Sequence, residues 1–268
     1  MTTHGASLPG GPGPGQDRWT ATPNGLIVLD GATAVAPGVP PAEEYVDALL
    51  DALRSRLRSG AGLRAVIADA IEAVSAKLDL SPGAGPSSTV ALLRWTDSTV
   101  DAAVLGDSSV VLGTRHGQQI RLCDDRLESI APGQRQHYRE RLQHGSGYDD
   151  AHRQLLTDLQ RNELRARNRD DGYWIAEATG EAGHHAILDQ FDIADLEWAA
   201  LATDGAQRTI DHLGTPWSDV AAKDGAELQV LLQHLHRWEA EQDPNGQHLP
   251  RAKRHDDKTV TTWTLNTR

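Results

Sequence analysis

The chain has 268 residues, 38% of them hydrophobic and 4% aromatic, room for one large domain or two small ones built on alanine, leucine, valine and isoleucine. A net charge of −12 argues against a nucleic-acid partner, which needs a basic face. One cysteine, Cys123, excludes an internal disulfide and a thiolate cluster, and no run reaches the about 20 apolar residues of a membrane span. With neither a basic nor an apolar leader in view, a cytoplasmic address and no membrane partner are expected.

Residues 1–15 are rich in glycine and proline, ending in Gly10-Gly11-Pro12-Gly13-Pro14-Gly15, and are expected to be disordered, with the folded domain over 16–268. Trp19-Thr20-Ala21-Thr22 reads as a strand, Pro23-Asn24-Gly25 as a turn, and Leu26-Ile27-Val28-Leu29 as a strand buried on both faces. Such a hairpin puts Asp17 and Asp30 at one end. An acid at the end of a buried strand is costly unless a cation neutralises it. Gly31 has no side chain, so its carbonyl can approach that cation closely.

A break from Pro37 to Pro41 precedes a helix carrying Val46, Leu49, Leu50, Leu53 and Leu57 on one face. Ser59-Gly60-Ala61-Gly62 ends it, and a second amphipathic helix holds Leu63, Val66, Ile67, Ala70, Ile71, Val74 and Leu78. The loop Ser81 to Pro86 leads to strands over Ser87–Trp95 and Thr99–Leu105. The second of these runs into Gly106-Asp107-Ser108, and Val110-Val111-Leu112 resumes a strand.

From about 126 to 171 the chain is arginine-rich and sparse in leucine, which reads as a helical insertion of two polar helices broken at Gly145-Ser146-Gly147. It is either a solvated excursion or a lid whose arginines meet an anionic substrate. Gly172-Tyr173-Trp174-Ile175-Ala176 reads as a strand. Among the 12 histidines, His184-His185 would point apart in a strand and His234 and His236 lie on different helix faces, so a histidine metal site is not expected. Ala199 to Ala202 is a strand that ends in Thr203-Asp204-Gly205, repeating the grammar of Asp30-Gly31. A short helix begins near Thr215-Pro216, and a longer one carries Leu228, Leu231, Leu232 and Leu235. A polar loop, Gln242 to Arg254, leads to Asp256-Asp257-Lys258 and a β-branched closing strand.

Asp17, Asp30, Asp107, Asp204 and Asp256 thus each stand at a strand boundary. All-oxygen ligands select hard cations such as magnesium or manganese, and acids meeting in one cleft can hold two about 4 Å apart for phosphoryl chemistry. On six motifs in order, Gln16-Asp17, Val28-Leu29-Asp30-Gly31, Ser87-Ser88-Thr89-Val90-Ala91, Gly106-Asp107-Ser108, Ala202-Thr203-Asp204-Gly205 and Asp256-Asp257-Lys258-Thr259-Val260, the chain resembles the metal-dependent Ser/Thr protein phosphatases of type 2C, the PPM family, in its bacterial form. The resemblance spans roughly residues 16–265. It implies an α+β fold, a four-layer α-β-β-α sandwich of two antiparallel sheets flanked by helix pairs. It also implies two manganese or magnesium ions, with a looser third, and hydrolysis of phosphoserine or phosphothreonine by a metal-bridging hydroxide. Carried over, Asp30 would bridge both metals and Gly31 would offer its carbonyl. Asp204 and Asp256 would hold the second metal, Asp17 would meet metal-bound water, and Asp107 with Asp204 would form the third site. Asp30 and Asp204 are therefore the expected catalytic carboxylates. A phosphoprotein substrate and a cognate Ser/Thr kinase pathway are the implied partners.

The departures lie on the substrate side. The family's Asn-Glu-Asp reads Gly15-Gln16-Asp17, and its phosphate-gripping arginine upstream has no counterpart in a stretch of glycine and proline. Asp-Gly-x-Gly-Gly reads Asp30-Gly31-Ala32-Thr33-Ala34, and the arginine after Gly-Asp-Ser is Ser109. The arginine-rich insertion stands where the family carries its flap. Arg18 or an arginine of the insertion is the candidate phosphate anchor. The alternatives are a phosphatase-like regulatory module without turnover and a small-molecule phosphohydrolase.

Overall fold

A computed structural model describes residues 1–33, 38–57, 60–83 and 85–265. Ala34, Pro37, Ser59 and Ala84, which belong to the motifs, breaks and loops named above, lie outside the described residues.

Among the described residues ten strands build two antiparallel sheets. In chain order the strands are β1 (Thr2–Leu8), β2 (Arg18–Thr22), β3 (Gly25–Leu29), β4 (Gly31–Ala32), β5 (Ser87–Ser88), β6 (Val90–Trp95), β7 (Thr99–Leu105), β8 (Ser109–Thr114), β9 (Gln119–Leu122), β10 (Ile187–Asp192), β11 (Leu196–Ala202) and β12 (Lys258–Thr264). One sheet has the order β1-β12-β11-β8-β9 and the other β10-β7-β6-β3-β2, while β4 and β5 pair only with each other. The helices are α1 (Ala42–Arg56), α2 (Leu63–Leu78), α3 (Pro132–Gln143), α4 (Asp150–Ala166), α5 (Glu181–His184), α6 (Asp204–His212), α7 (Trp217–Ala221) and α8 (Gly225–Glu241).

The period of two along each strand sorts its side chains into layers. Leu26 and Val28 of β3, Leu93 and Trp95 of β6, Val110 and Leu112 of β8, and Trp263 of β12 fill the space between the sheets. Their neighbours Ile27, Leu29 and Leu92 face outward and are covered by Val46, Leu49 and Leu53 of α1 and by Val66, Ile67 and Ile71 of α2. On the far side Val111, Ala200, Ala202 and Val260 meet Ile210 of α6, Val220 of α7, and Leu228, Leu232 and Leu235 of α8. Three apolar layers between four structural layers make the α+β sandwich that the family resemblance implied. No helix among the described residues is long and apolar enough to cross a membrane.

Register brings the acids together. Arg18 pairs with Leu29, so Asp17 and Asp30 leave β2 and β3 side by side. Val90 pairs with Leu105, which sets Asp107, between β7 and β8, near the same end. In the other sheet Ala202 pairs with both Ser109 and Val260, so Asp204 and Asp256 join that end.

Four expectations are corrected. Residues 1–15 are not a disordered tail: Thr2–Leu8 form β1, paired with β12 from Thr2↔Thr264 to Leu8↔Lys258. Apart from Gly5, glycine and proline crowd only positions 9–15, and the earlier residues bury Ala6, lay Leu8 against the same cluster and bond Ser7 Oγ to Thr259 Oγ1 at 2.7 Å. The stretch Ser87–Trp95 is broken at Thr89, whose N–H bonds the Asp30 carbonyl at 2.9 Å. Gly172–Ala176 is no strand: it makes isolated bridges to Arg167 and Ser88, and the Ile175 N–H is taken by the Asn168 side chain at 2.9 Å. Finally, His184 ends the four-residue α5 and His185 caps it, because Gly183 packs directly on the α2 backbone, where a Cβ would come within 2.3 Å of the Ala68 nitrogen.

Candidate metal centre

Asp30, Asp107, Asp204 and Asp256 line one cleft of about 220 Å3 together with Gly31, Thr33, Thr89 and Lys253. Local structure explains how each arrives there. Asp30 follows the last residue of a fully buried strand, and its N–H is held by Thr89 Oγ1 at 3.2 Å. Thr89 Oγ1 in turn bonds Ser108 Oγ at 2.6 Å, so one hydroxyl pair ties the Asp30 corner to the Gly106-Asp107-Ser108 corner. Gly106 turns there at φ +79°, a left-handed conformation that glycine adopts without strain. Asp204 opens α6 directly after β11. Gly205 beside it has no room for a side chain, since a Cβ would come within 2.2 Å of the Asp257 carbonyl oxygen. Gly31 is hemmed in likewise, by the Gln16 carbonyl oxygen at 2.8 Å from where a Cβ would stand.

Asp17 lies behind this front row. Its Oδ2 accepts from Thr203 Oγ1 at 2.8 Å, and Thr203 Oγ1 accepts from the Thr259 N–H at 3.0 Å. One threonine thereby joins Asp17 to the ends of β11 and β12. The other oxygen, Asp17 Oδ1, is buried and has no hydrogen-bond partner. Burial first, offset by the Thr203 bond and then reinforced by the charge of Asp257, pushes Asp17 up from 3.8 to about 8. Asp30 is raised well above the carboxylate range by burial and then by Asp17, Asp204, Asp256 and Asp107. Burial and then Asp204 push Asp107 up to about 7. Burial also raises Asp256, against the opposing charge of Lys253. These acids repel one another in a poorly solvated place, a state that bound cations relieve.

Several residues at the site were not among those the sequence singled out as candidates. Lys253, from the polar loop before β12, pairs its Nζ with Asp256 Oδ1 at 2.7 Å. Arg208, one turn along α6, lies 3.4 Å from Asp204 Oδ2 and 3.2 Å from Glu128 Oε1. Asp257 points away from the cleft: its Oδ1 accepts from the Gly10 N–H at 2.7 Å and its Oδ2 from the Gln16 N–H. It therefore pins the glycine-rich segment that precedes Asp17. A signal for Lys253 and Arg208 existed in their spacing, three residues before one acid and four after another, but such spacing is common on any surface.

Arg18, the candidate phosphate anchor, does not line the cleft. Its Nε pairs with Asp47 at 2.6 Å, and its Nη1 donates to the Gly15 and Asp17 carbonyls. The insertion does form one wall, through Leu127, Gln160, Glu163, Leu164 and Arg167. Five of its arginines, however, pair at home: Arg135 with Glu163, Arg139 with Glu128, Arg141 with Asp149, Arg153 with Asp150 and Arg161 with Asp158. Its helices also have their own small core of Tyr138, Leu142 and Leu159.

One histidine grouping does form in space: nitrogen or oxygen atoms of His236, Glu239 and His255 fall within 4.8 Å of one another. The carboxylate is already committed. Glu239 Oε2 accepts from Lys258 Nζ at 2.9 Å and sits 3.0 Å from His255 Nδ1, and its Oε1 accepts from Thr209 Oγ1 at 2.9 Å. A lysine ammonium on the same oxygen opposes a cation there, so the cluster reads as a buried ion-pair network.

The profile of a sequence family described as protein phosphatase 2C matches residues 12–247, a range that includes four of the five acids and stops short of Asp256. No curated protein matches the chain. Among solved structures it is similar to the serine/threonine phosphatase Stp1 from Staphylococcus aureus, at 14% identity and TM-score 0.59 over 99% of this chain and 95% of that one. It is also similar to the Mycobacterium tuberculosis serine/threonine phosphatase PstP/Ppp, at 17% identity and TM-score 0.55 over 99% of both chains. A further similar structure is the catalytic domain of the phosphatase PstP in complex with two manganese ions, at 17% identity and TM-score 0.51, over 97% of this chain and 96% of that one.

Proposed function

The chain belongs to the protein phosphatase 2C family, and from that premise we propose that the acid-lined cleft binds divalent manganese or magnesium and hydrolyses phosphoserine or phosphothreonine in protein substrates. The observation that carries this reading is the orphaned Asp17 Oδ1, buried behind four further carboxylates that crowd one cleft. All donors are hard oxygens, which suits magnesium or manganese over softer ions. When bound, two such cations supply positive charge for the phosphoryl oxygens and acidify a water as the nucleophile.

The residues divide the remaining work. Asp30, which faces the charges of Asp17, Asp204, Asp256 and Asp107, would be a ligand of the bound cations, and Gly31, which lines the same cleft, would add its backbone carbonyl. Asp204, just after β11, and Asp256, just before β12, would complete a second position. Asp107 with Asp204 would offer a weaker third. Asp17 lies one layer back, and its unpaired oxygen would take a water of the bound cations. Among the described residues, Cys123 lies outside the cleft lining, and the cleft hydroxyls of Thr33, Ser87, Thr89 and Tyr173 share that lining with no histidine that could act as their base.

The test is release of phosphate from p-nitrophenyl phosphate and then from a panel of phosphopeptides, with manganese added. Peptide turnover that disappears with chelator supports the reading. Turnover confined to small esters favours a small-molecule phosphohydrolase, and none at all favours a regulatory module.

A further inference from the structure

A phosphomonoester dianion needs a cation of the protein as well as the metals, and the cleft offers few. Among the described residues only Lys253 and Arg167 bring positive charge to its walls. Arg167 is committed: Nη1 lies 3.2 Å from Glu177 Oε1 and 3.4 Å from the Gly85 carbonyl, and Nε lies 3.3 Å from the Tyr173 hydroxyl. Glu177 is itself buried, so drawing Arg167 away would strand a charge. Arg208 is held between Asp204 and Glu128.

Lys253 differs in each respect. Its side chain is 61% exposed, and its one partner is Asp256 Oδ1 at 2.7 Å, leaving two of the three ammonium donors unused. The backbone on either side is fixed. The Ala252 carbonyl lies 2.9 Å from Nε2 of the buried His152 on α4, and the Arg254 carbonyl accepts from Arg251 Nε at 2.9 Å. Arg251 is in turn buried and clamped on Asp243, at 2.6 Å to Oδ2 and 2.9 Å to the carbonyl. A rigid loop thus presents a flexible, strongly charged head at the rim of the acid cluster. That is how a lysine serves a phosphate: as a point charge on a stem, carried by a fixed base.

We infer that Lys253 is the phosphate-gripping cation of this chain, reaching from Asp256 to a phosphoryl oxygen of the bound substrate. The inference rests on the phosphatase reading above and adds the residue that holds the anion. It also assigns the insertion a part through His152, which steadies the base of Lys253.

The experiment compares the wild type with Lys253→Ala and Lys253→Arg, using p-nitrophenyl phosphate as substrate, inorganic phosphate as inhibitor and calorimetry for manganese binding to the metal-free protein. In Lys253→Ala, KM and the phosphate inhibition constant rise by about tenfold or more, the size of a lost charge-assisted hydrogen bond. Lys253→Arg restores part of both, and manganese affinity holds or rises, since a competing ammonium has left Asp256. Unchanged KM and phosphate inhibition in Lys253→Ala overturn the inference. So does a parallel loss of manganese affinity, which would make Lys253 a prop for Asp256. Absence of turnover in the wild type defeats the phosphatase reading alone. Calorimetric binding of inorganic phosphate to the manganese-loaded protein then decides: lysine-dependent binding supports the inference, and lysine-independent or absent binding overturns it.

Discussion

At the scale of the residue, the question is which carboxylates act and which merely cap. Asp30→Asn removes charge from the acid that four others surround, so turnover is expected to fall on the order of a hundredfold or more, as when a principal electrostatic group is lost. Asp107→Asn, at the weaker position, should lower the rate less and raise the manganese concentration needed for half-maximal activity. Equal losses in the two variants would contradict the division of roles. Stability offers a second readout. Asp17 binds its proton more tightly folded, near 8, than at its ordinary 3.8, so in that interval the folded protein carries more protons than the unfolded chain. Its ionisation therefore costs stability, and the metal-free protein should melt at lower temperature as pH rises from about 5 to 8. In Asp17→Asn that decline should be shallower. A decline equally steep in the variant would show that Asp17 does not carry it. Of these acids the sequence displayed the identity, because an Asp after an apolar run is conspicuous. It did not display their mutual burial, which depends on strand register across both sheets.

At the scale of the element, the backbone at Asp256 is held by a network that the strand after it does not reveal. Glu239 of α8 is 2% exposed, and Lys258 of β12 is wholly buried and donates to both Glu239 Oε2 and the Asp256 carbonyl, at 2.9 and 3.0 Å. Glu239→Gln leaves the ammonium without its counter-charge, so unfolding free energy should drop by about 3 kcal/mol or more, read by urea denaturation. A change under about 0.5 kcal/mol, typical of an exposed pair, would contradict a buried network. Amphipathic spacing made α1, α2 and α8 legible in the sequence, and Val46, Leu49 and Leu53 bury where their period placed them. β1 was illegible because glycine and proline at 9–15 coloured the whole lead, while its stability comes from pairing with β12 at the other end of the chain. β9 and β10 were missed for a related reason: Gln119 and Arg121, and Ile187, Asp189, Gln190 and Asp192, stand exposed on edge strands, so their hydrophobic alternation is weak.

Taken whole, the molecule sets two sheets against each other so that four loops and one helix start deliver acids to a single end. The inner layer is dry and apolar, and the charges collect where the strands stop. Such an arrangement is unstable to its own repulsion, which Lys253 and Arg208 relieve in part from the rim. The sequence left the insertion open between a solvated excursion and a lid whose arginines meet an anion. Most prove to be half of local ion pairs with Glu128, Asp149, Asp150, Asp158 and Glu163, a pairing that only the folded helices make visible. The central claim is that the cleft is a site for hard divalent cations. Crystals of the full chain grown with manganese, measured near the manganese absorption edge, test it directly. The account predicts two strong anomalous peaks among Asp30, Asp204 and Asp256, absent in Asp30→Asn. No peak in that cleft, or a sole peak at His236, Glu239 and His255, would contradict it.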